Sequence, residues 1–209
     1  MSLKIALTKG RIEKQVVKLL KQVGLDVTAL ENKQRKLQIT LANGQYEFIL
    51  AKGPDVVTYL SNGVVDLGIV GSDILLEQNV TGYELLDLNI GKCQFILAST
   101  PEFDPTSFGR KVIGTKYPRV AQKYFAQLGQ DVEIIKIEGS VELAPLVGLA
   151  DAIIDITETG TTLKENNLQI YDYLAKISTR LIVNPLALKQ KKNEIFTFVD
   201  QLAQVLPKD

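Results

Sequence analysis

The chain has 209 residues, and its 24 Lys and Arg residues balance 24 Asp and Glu residues, so the formal net charge is zero. This length allows one large domain or two small lobes, and the charge balance gives no electrostatic basis for binding nucleic acid or an anionic membrane surface. The absence of His excludes His-based triads and His-ligated metal sites, and the single Cys93 excludes an internal disulfide. Chemistry therefore depends on carboxylates, Lys, Arg, hydroxyls and backbone amides.

Strands and helices alternate along the chain. Apolar runs predict strands at 3–7, 37–41, 46–50, 66–70, 83–88, 95–98, 111–113, 132–137 and 152–156, with a longer strand region ending near 183. Helical apolar spacing predicts helices at 11–23, 54–60, 72–78, 117–128, 141–147, 162–166 and 186–206. Asn43-Gly44 predicts a tight hairpin, and Ser72 is the predicted N-cap of its helix. The alternation favours an α/β fold with mainly parallel sheets and helices on both faces.

Two segments of the chain share the pattern G-x-x-D-x-x-I, at 63–69 and at 148–154, and each precedes a loop rich in Gly, Ser or Thr. This repetition supports two similar lobes with a ligand cleft between their strand ends. We predict a first lobe at 1–90 plus 184–209 and a second lobe at 91–183, so that the chain crosses twice. With no run of 18 apolar residues and no secretory signal, we expect a cytoplasmic protein without a membrane span.

The loop after the 152–156 strand contains the most informative group of residues. Ligands of open α/β sheets bind at the carboxyl ends of strands, and a helix N-terminus suits a phosphate. Gly160 allows close approach of the backbone to an anion. Hydroxyl donors come from Thr159, Thr161 and Thr162. Because a phosphate would repel Asp155 and Glu158, we expect these acids to meet sugar hydroxyls or a metal ion. The loop therefore fits a phosphoribosyl group, with a capped helix after a core strand as the alternative.

Segment 142–163 reads E-x5-G-x-A-x2-I-x-D-I-x2-T-G-x-T-L, which resembles the signature of the ATP phosphoribosyltransferase family at every fixed position. The resemblance covers essentially the whole chain, including 5–11, 55–59, 66–73, 83–88 and 91–93, although Val57 stands where the family often has Pro. It implies two α/β lobes around a central cleft, similar to type II periplasmic binding proteins. The length resembles the short form of the family.

The resemblance implies the reaction: N1 of ATP attacks C1 of the ribose of phosphoribosyl pyrophosphate and expels pyrophosphate, the first step of histidine biosynthesis. It also implies Mg²⁺, mainly through the substrate pyrophosphate, and a regulatory subunit related to histidyl-tRNA synthetase. We expect a homodimer within a larger hetero-oligomer.

The same resemblance implies roles for individual residues. Those expected to bind phosphoribosyl pyrophosphate are Glu142, Asp155, Glu158, Thr159, Gly160, Thr161 and Thr162. Those expected to bind ATP are Lys9, Arg11, Lys52, Gly71 and Asp73, with Arg11 and Arg35 as catalytic cations. Which carboxylate meets magnesium stays open.

Alternative interpretations remain at this point. Arg35 and Lys52 could be solvated surface cations, and Asp73 could only stabilise a helix start. The whole chain could be a cytoplasmic module of the same fold that binds a small phosphate-containing ligand, or a different phosphoribosyltransferase.

Overall fold

A computed structural model describes residues 2–80 and 84–207. The strands, numbered β1 to β11, are Leu3–Thr8, Gln38–Leu41, Tyr46–Ala51, Leu67–Gly71, Glu84–Asp87, Cys93–Ser99, Lys111–Thr115, Val132–Lys136, Ala152–Thr157, Gln169–Ile177 and Thr179–Val183. The α-helices, α1 to α9, are Arg11–Gln22, Thr28–Glu31, Gly53–Ser61, Ser72–Gln78, Pro118–Gln127, Leu143–Leu146, Thr161–Glu165, Pro185–Gln190 and Lys192–Ala203. No helix in these two ranges combines the length and apolar character needed to cross a membrane.

The chain divides into two compact units. The first consists of Met1–Gly91 with Ser178–Asp209, and the second consists of Lys92–Ile177. The sequence predicts that the chain returns to the first lobe between residues 183 and 184, whereas in the structure it returns at Ser178. Strand β11 therefore belongs to the first unit, where it pairs with β4 and β5.

The sheet of the first unit has the strand order β2-β3-β1-β4-β11-β5. The central strands β3, β1 and β4 are parallel, while β2, β11 and β5 pair in antiparallel fashion. Alternate residues of β1 serve opposite faces, since Ile5 and Leu7 join one buried cluster with α1 and α9, and Ala6 joins another with α3. Helices therefore cover both faces of this sheet.

The sheet of the second unit has the order β10-β6-β9-β7-β8. Strands β9, β7 and β8 are parallel, and β6 is antiparallel to both β9 and β10. On β9, Ala152 and Ile154 pack in the cluster that contains α5, whereas Ile153 packs with Ala144 of α6 and Leu163 of α7. The same alternation places Asp155 on the α6 and α7 face.

The α/β class is confirmed, and so is the hairpin, where Ala42–Gly44 forms a 3-10 turn between antiparallel β2 and β3. Both sheets are mixed: three parallel strands form part of each, β3, β1 and β4 in the first and β9, β7 and β8 in the second, and antiparallel strands extend them. The long strand region is two strands, β10 and β11, in different sheets, and the C-terminal helix is two helices. The one-turn helix α2 was not predicted, and the first residue of the predicted 83–88 strand lies outside the described residues.

The predicted N-cap at Ser72 is also wrong. Gly71 occupies the N-cap position of α4 and Ser72 is the first helical residue. The Ser72 hydroxyl accepts a hydrogen bond from the Ser178 amide at 3.2 Å. The hydroxyl therefore bonds to the residue that separates β10 from β11 and does not cap its own helix.

Candidate active site

Three parallel strands of the first unit end side by side. Thr8 of β1 is in register with Ala51 of β3, and Leu7 is in register with Ile69 of β4. The Thr8 hydroxyl donates to the Ile69 carbonyl at 2.9 Å, and the Lys9 amide donates to the Ala51 carbonyl at 2.9 Å. We call this set of strand ends the carboxyl edge of the first sheet, which is where α/β proteins bind ligands.

Four predicted cations lie at this carboxyl edge. Lys9 follows β1, Arg11 begins α1, and Lys52 follows β3 as the N-cap of α3. Arg35 precedes β2, whose start is beside the end of β3 because the Leu50 amide donates to the Leu37 carbonyl at 2.7 Å. All four side chains are exposed. They give this edge a concentration of positive charge suited to a polyphosphate.

The turn from β1 into α1 is held by a buried carboxylate. Glu13 is 7% exposed, and its Oε2 accepts the Gly10 amide at 3.3 Å. Lys33 donates to Glu13 Oε1. Since Gly10 lies between Lys9 and Arg11, this carboxylate fixes the backbone that carries both cations.

Gly71 and Asp73 lie at the same edge, at the end of β4 and in the first turn of α4. A Cβ added at Gly71 would stand only 2.2 Å from the Asp73 Oδ1 atom. Glycine at 71 therefore makes room for the Asp73 carboxylate over the turn. The structure brings together all the residues predicted to bind ATP in the first unit.

In the second unit, β9 leads into the loop 158–160 and then α7. Gly160 has φ of 73°, a left-handed conformation that favours glycine, and its amide donates to the Thr157 hydroxyl at 3.0 Å. The hydroxyls of Thr159 and Thr161 are 2.9 Å apart. The loop is therefore held by its own hydroxyls in a compact turn at a strand end.

A cavity of about 270 Å³ lies against this loop. All seven residues predicted to bind phosphoribosyl pyrophosphate line it, together with Ile96, Ile156, Thr157 and Leu163. A second cavity of about 500 Å³ is bounded by β6 and β10 residues such as Gln94 and Tyr173, and it shares Thr157, Glu158, Thr159, Gly160 and Leu163 with the first. The loop thus separates two cavities.

Asp155 is the perturbed acid of this site. Burial and, to a smaller extent, the nearby Glu142 carboxylate raise its pKa to about 6, although a hydrogen bond from the Ile156 amide at 2.8 Å and the charge of Lys116 oppose the rise. Two carboxylates facing one cavity repel each other, so a cation or a set of hydroxyl donors would relieve them.

Lys116 is a further residue of this site that was not predicted from the sequence. It follows β7, whose Thr115 is in register with Ile154 of β9, so the ends of these parallel strands are adjacent. Its charge lowers the pKa of Asp155, which identifies it as a neighbour of the cavity. The strand predicted at 111–113 ends three residues before Lys116, so the sequence placed Lys116 near a strand end but not directly after it.

The described residues contain no group of three or more His, Cys, Asp and Glu side chains arranged to hold a metal ion. Glu142 and Asp155 are nevertheless hard oxygen donors of the type that divalent magnesium prefers. The pair fits an ion that is held mainly by a substrate and touched by one or two carboxylates.

These features define an α/β protein whose second unit carries a loop suited to a phosphorylated sugar. The fold is that of periplasmic binding proteins, since the chain matches the periplasmic aliphatic sulphonate binding protein of Escherichia coli with a TM-score of 0.61 at 13% identity, over 97% of this chain and 72% of that one. The family model described as ATP phosphoribosyltransferase matches residues 52–204. The chain belongs to the ATP phosphoribosyltransferase family.

Individual relatives agree with this membership. The chain is 67% identical over 204 residues to the ATP phosphoribosyltransferase of Lactiplantibacillus plantarum, covering 98% of this chain and 94% of that one. It superposes with a TM-score of 0.82 and 37% identity on a chain of the ATP phosphoribosyl transferase (HisG:HisZ) complex from Thermotoga maritima, over 97% of this chain and 98% of that one. The resemblance found in the sequence is confirmed, and a binding module of the same fold is not favoured. Membership is consistent with a divalent metal requirement.

Proposed function

We propose that this chain transfers the 5-phosphoribosyl group of phosphoribosyl pyrophosphate to N1 of ATP. The products are phosphoribosyl-ATP and pyrophosphate, the first step of histidine biosynthesis. The observation that carries this proposal is the 67% identity over nearly the whole chain to an ATP phosphoribosyltransferase. The cytoplasmic location stays a prediction.

Phosphoribosyl pyrophosphate binds at the smaller cavity of the second unit. Its 5′-phosphate binds to the loop from Glu158 to Thr162, where backbone amides and side-chain hydroxyls donate hydrogen bonds to it. Asp155 and Glu142 face the ribose hydroxyls or the magnesium ion, because hydrogen-bond donors or a cation relieve the repulsion between the two carboxylates. Lys116 adds a cation beside them.

ATP binds at the carboxyl edge of the first sheet, on Lys9, Arg11, Lys52, Gly71 and Asp73. The exposed cations at this edge match the triphosphate charge. Arg11 and Arg35 stabilise the charge that develops on the leaving pyrophosphate, because a guanidinium presents planar donors to phosphate oxygens.

The reaction forms a bond between adenine N1 and ribose C1 and breaks the bond between C1 and the pyrophosphate oxygen. Adenine N1 attacks with its own lone pair, so no general base is required and the absence of His is no obstacle. Catalysis then depends on holding two polyanions in line and on stabilising the leaving group. Magnesium, when bound, neutralises pyrophosphate charge, and Glu142 and Asp155 are the residues that would hold it.

We also propose a regulatory partner subunit, as in the Thermotoga maritima HisG:HisZ complex, and a homodimer of this chain within the hetero-oligomer. The similarity to a chain of that complex supports this partner.

The test is an assay with ATP, phosphoribosyl pyrophosphate and magnesium, with and without the regulatory subunit, that follows phosphoribosyl-ATP by its ultraviolet absorbance. Product that requires both substrates is the expected result, and the difference between the arms measures dependence on the partner. No product in either arm, with the partner shown to bind, would contradict the proposal.

A further inference from the structure

Asp87, at the end of β5, uses both carboxylate oxygens as hydrogen-bond acceptors. Oδ1 accepts the Asn89 amide at 2.9 Å. Oδ2 accepts the Ser178 hydroxyl at 2.9 Å and pairs with Arg180 Nη1 at 2.9 Å. The carboxylate therefore joins the turn after β5 to the start of β11.

Ser178 is in turn joined to Ser72 by two hydrogen bonds of opposite direction. The Ser72 amide donates to the Ser178 carbonyl at 2.9 Å, and the Ser178 amide donates to the Ser72 hydroxyl at 3.2 Å. Both residues are only 7% exposed. Buried bonds of this kind are costly to break because the freed groups have no water to replace them.

The pair lies at the carboxyl edge of the first sheet. Ser72 stands between Gly71 and Asp73, and Thr179, the next residue after Ser178, is in register with Gly71. Ser178 is also the first residue after the chain returns from the second unit. Asp87, Ser178 and Ser72 therefore form one hydrogen-bonded series that ends in the turn carrying Gly71 and Asp73.

We propose that Asp87 is a positioning residue for ATP binding: through Ser178 and Ser72 it holds the turn 71–73 in the place that the nucleotide requires. This inference rests on the proposed function. Asp87 itself touches no substrate in the proposal. Its charge strengthens the Ser178 and Arg180 contacts, since hydrogen bonds to an ionised acceptor are about twice as strong as neutral ones.

The test compares Asp87→Asn, Ser178→Ala and Asp87→Glu with the wild-type chain, all in the presence of the regulatory subunit. Asp87→Asn and Ser178→Ala should raise the KM for ATP roughly tenfold, the effect of losing one charge-assisted hydrogen bond. The KM for phosphoribosyl pyrophosphate should stay within about twofold, because its cavity lies in the other unit. Asp87→Glu keeps the charge on a partly exposed side chain and should recover most of the ATP affinity.

Asp66→Asn is the matched control. Asp66 Oδ2 accepts the Lys4 amide at 2.8 Å and Lys191 Nζ at 2.7 Å, so it is an ionised acceptor in the same unit. Asp66 lies just before the start of β4, whereas Asp87 lies at the opposite edge of the sheet, the carboxyl edge. Asp66→Asn should lower the melting temperature and leave both KM values unchanged.

Two outcomes would overturn the positioning role: Asp87→Asn behaving like Asp66→Asn, or raising both KM values equally. If the wild-type chain forms no product, the proposed function fails, and ATP binding measured by calorimetry then decides the inference. Weaker ATP binding in Asp87→Asn alone would support it, and equal binding in all variants, or none in the wild type, would overturn it.

Discussion

Asp155 and Glu142 line the same cavity, and the Glu142 charge adds to burial in raising the pKa of Asp155 to about 6. The folded protein thus keeps two carboxylates together at a cost to its own stability. Such a cost is typical of sites that are shaped for a ligand rather than for packing. The pair is therefore an electrostatic sign of a ligand site in the second unit.

The first prediction concerns the pH dependence of stability. The pKa of Asp155 is raised from its ordinary 3.8 to about 6, so the folded state binds this proton more tightly than the unfolded chain does. Its contribution to stability is complete below about pH 4 and is lost as the pH rises through about 6. Asp155→Asn, which cannot ionise, should therefore increase the free energy of unfolding at pH 8 by on the order of 2 kcal/mol.

Urea unfolding at pH 4 and pH 8 measures this difference, which should nearly vanish at pH 4. The exposed Asp200→Asn on α9 is the control and should show no such pH dependence. A stability gain that is equal at both pH values would contradict the prediction. The same Asp155→Asn variant should bind phosphoribosyl pyrophosphate more weakly.

The second prediction concerns the loop. Thr162→Val keeps the shape of an exposed side chain and removes its hydroxyl, so phosphoribosyl pyrophosphate should bind roughly tenfold more weakly while ATP binding changes less than about twofold. Calorimetry with each ligand separately measures both affinities. Thr197→Val on α9, whose hydroxyl donates to the Asn193 carbonyl of its own helix, is the control. Equal weakening for the two ligands would remove Thr162 from the phosphate loop.

The third prediction concerns Arg11. Arg11→Ala should lower kcat by about 100-fold if the guanidinium stabilises the leaving pyrophosphate. The fold should survive, because a cation in the first turn of α1 opposes the helix dipole and its loss does not weaken the helix. Kinetics and a melting curve test both parts, with the exposed Lys18→Ala on the same helix as control. Unchanged turnover would exclude Arg11 from the mechanism.

The sequence predicted those parts of the fold that local patterns determine. The apolar periodicity located most strands and helices, and the G-x-x-D-x-x-I repeat marked two comparable strands, β4 and β9, one in each sheet. The division at Ser178 was missed, because one residue separates β10 from β11 and extended segments on either side look alike. No local feature of the sequence indicates that these two strands belong to different sheets.

In the candidate site, too, the residues that are close in sequence were predicted and those brought together by strand pairing were not. The loop 158–162 was predicted, since its glycine, threonines and acids are contiguous in the chain. Lys116 was missed, because its proximity to Asp155 follows from the pairing of β7 with β9. Ser72 was assigned to its own helix because its hydrogen-bond partner, Ser178, lies 106 residues away.

The last prediction concerns Gly71. A Cβ at this position would lie 2.2 Å from Asp73 Oδ1, and the next carbon it meets on another helix, Ile12 Cδ1, is 3.9 Å away. Gly71→Ala should therefore move the Asp73 carboxylate while changing the free energy of unfolding by less than about 1 kcal/mol, since the backbone at 71 has φ of −68°. If Asp73 contacts ATP, the KM for ATP should rise several-fold in Gly71→Ala. Asp73→Asn removes the charge of this side chain without moving it. A similar KM for ATP in Asp73→Asn and Gly71→Ala indicates that the carboxylate itself binds the nucleotide. An unchanged KM in Gly71→Ala, with the same melting temperature, would place the nucleotide elsewhere on the carboxyl edge of the first sheet.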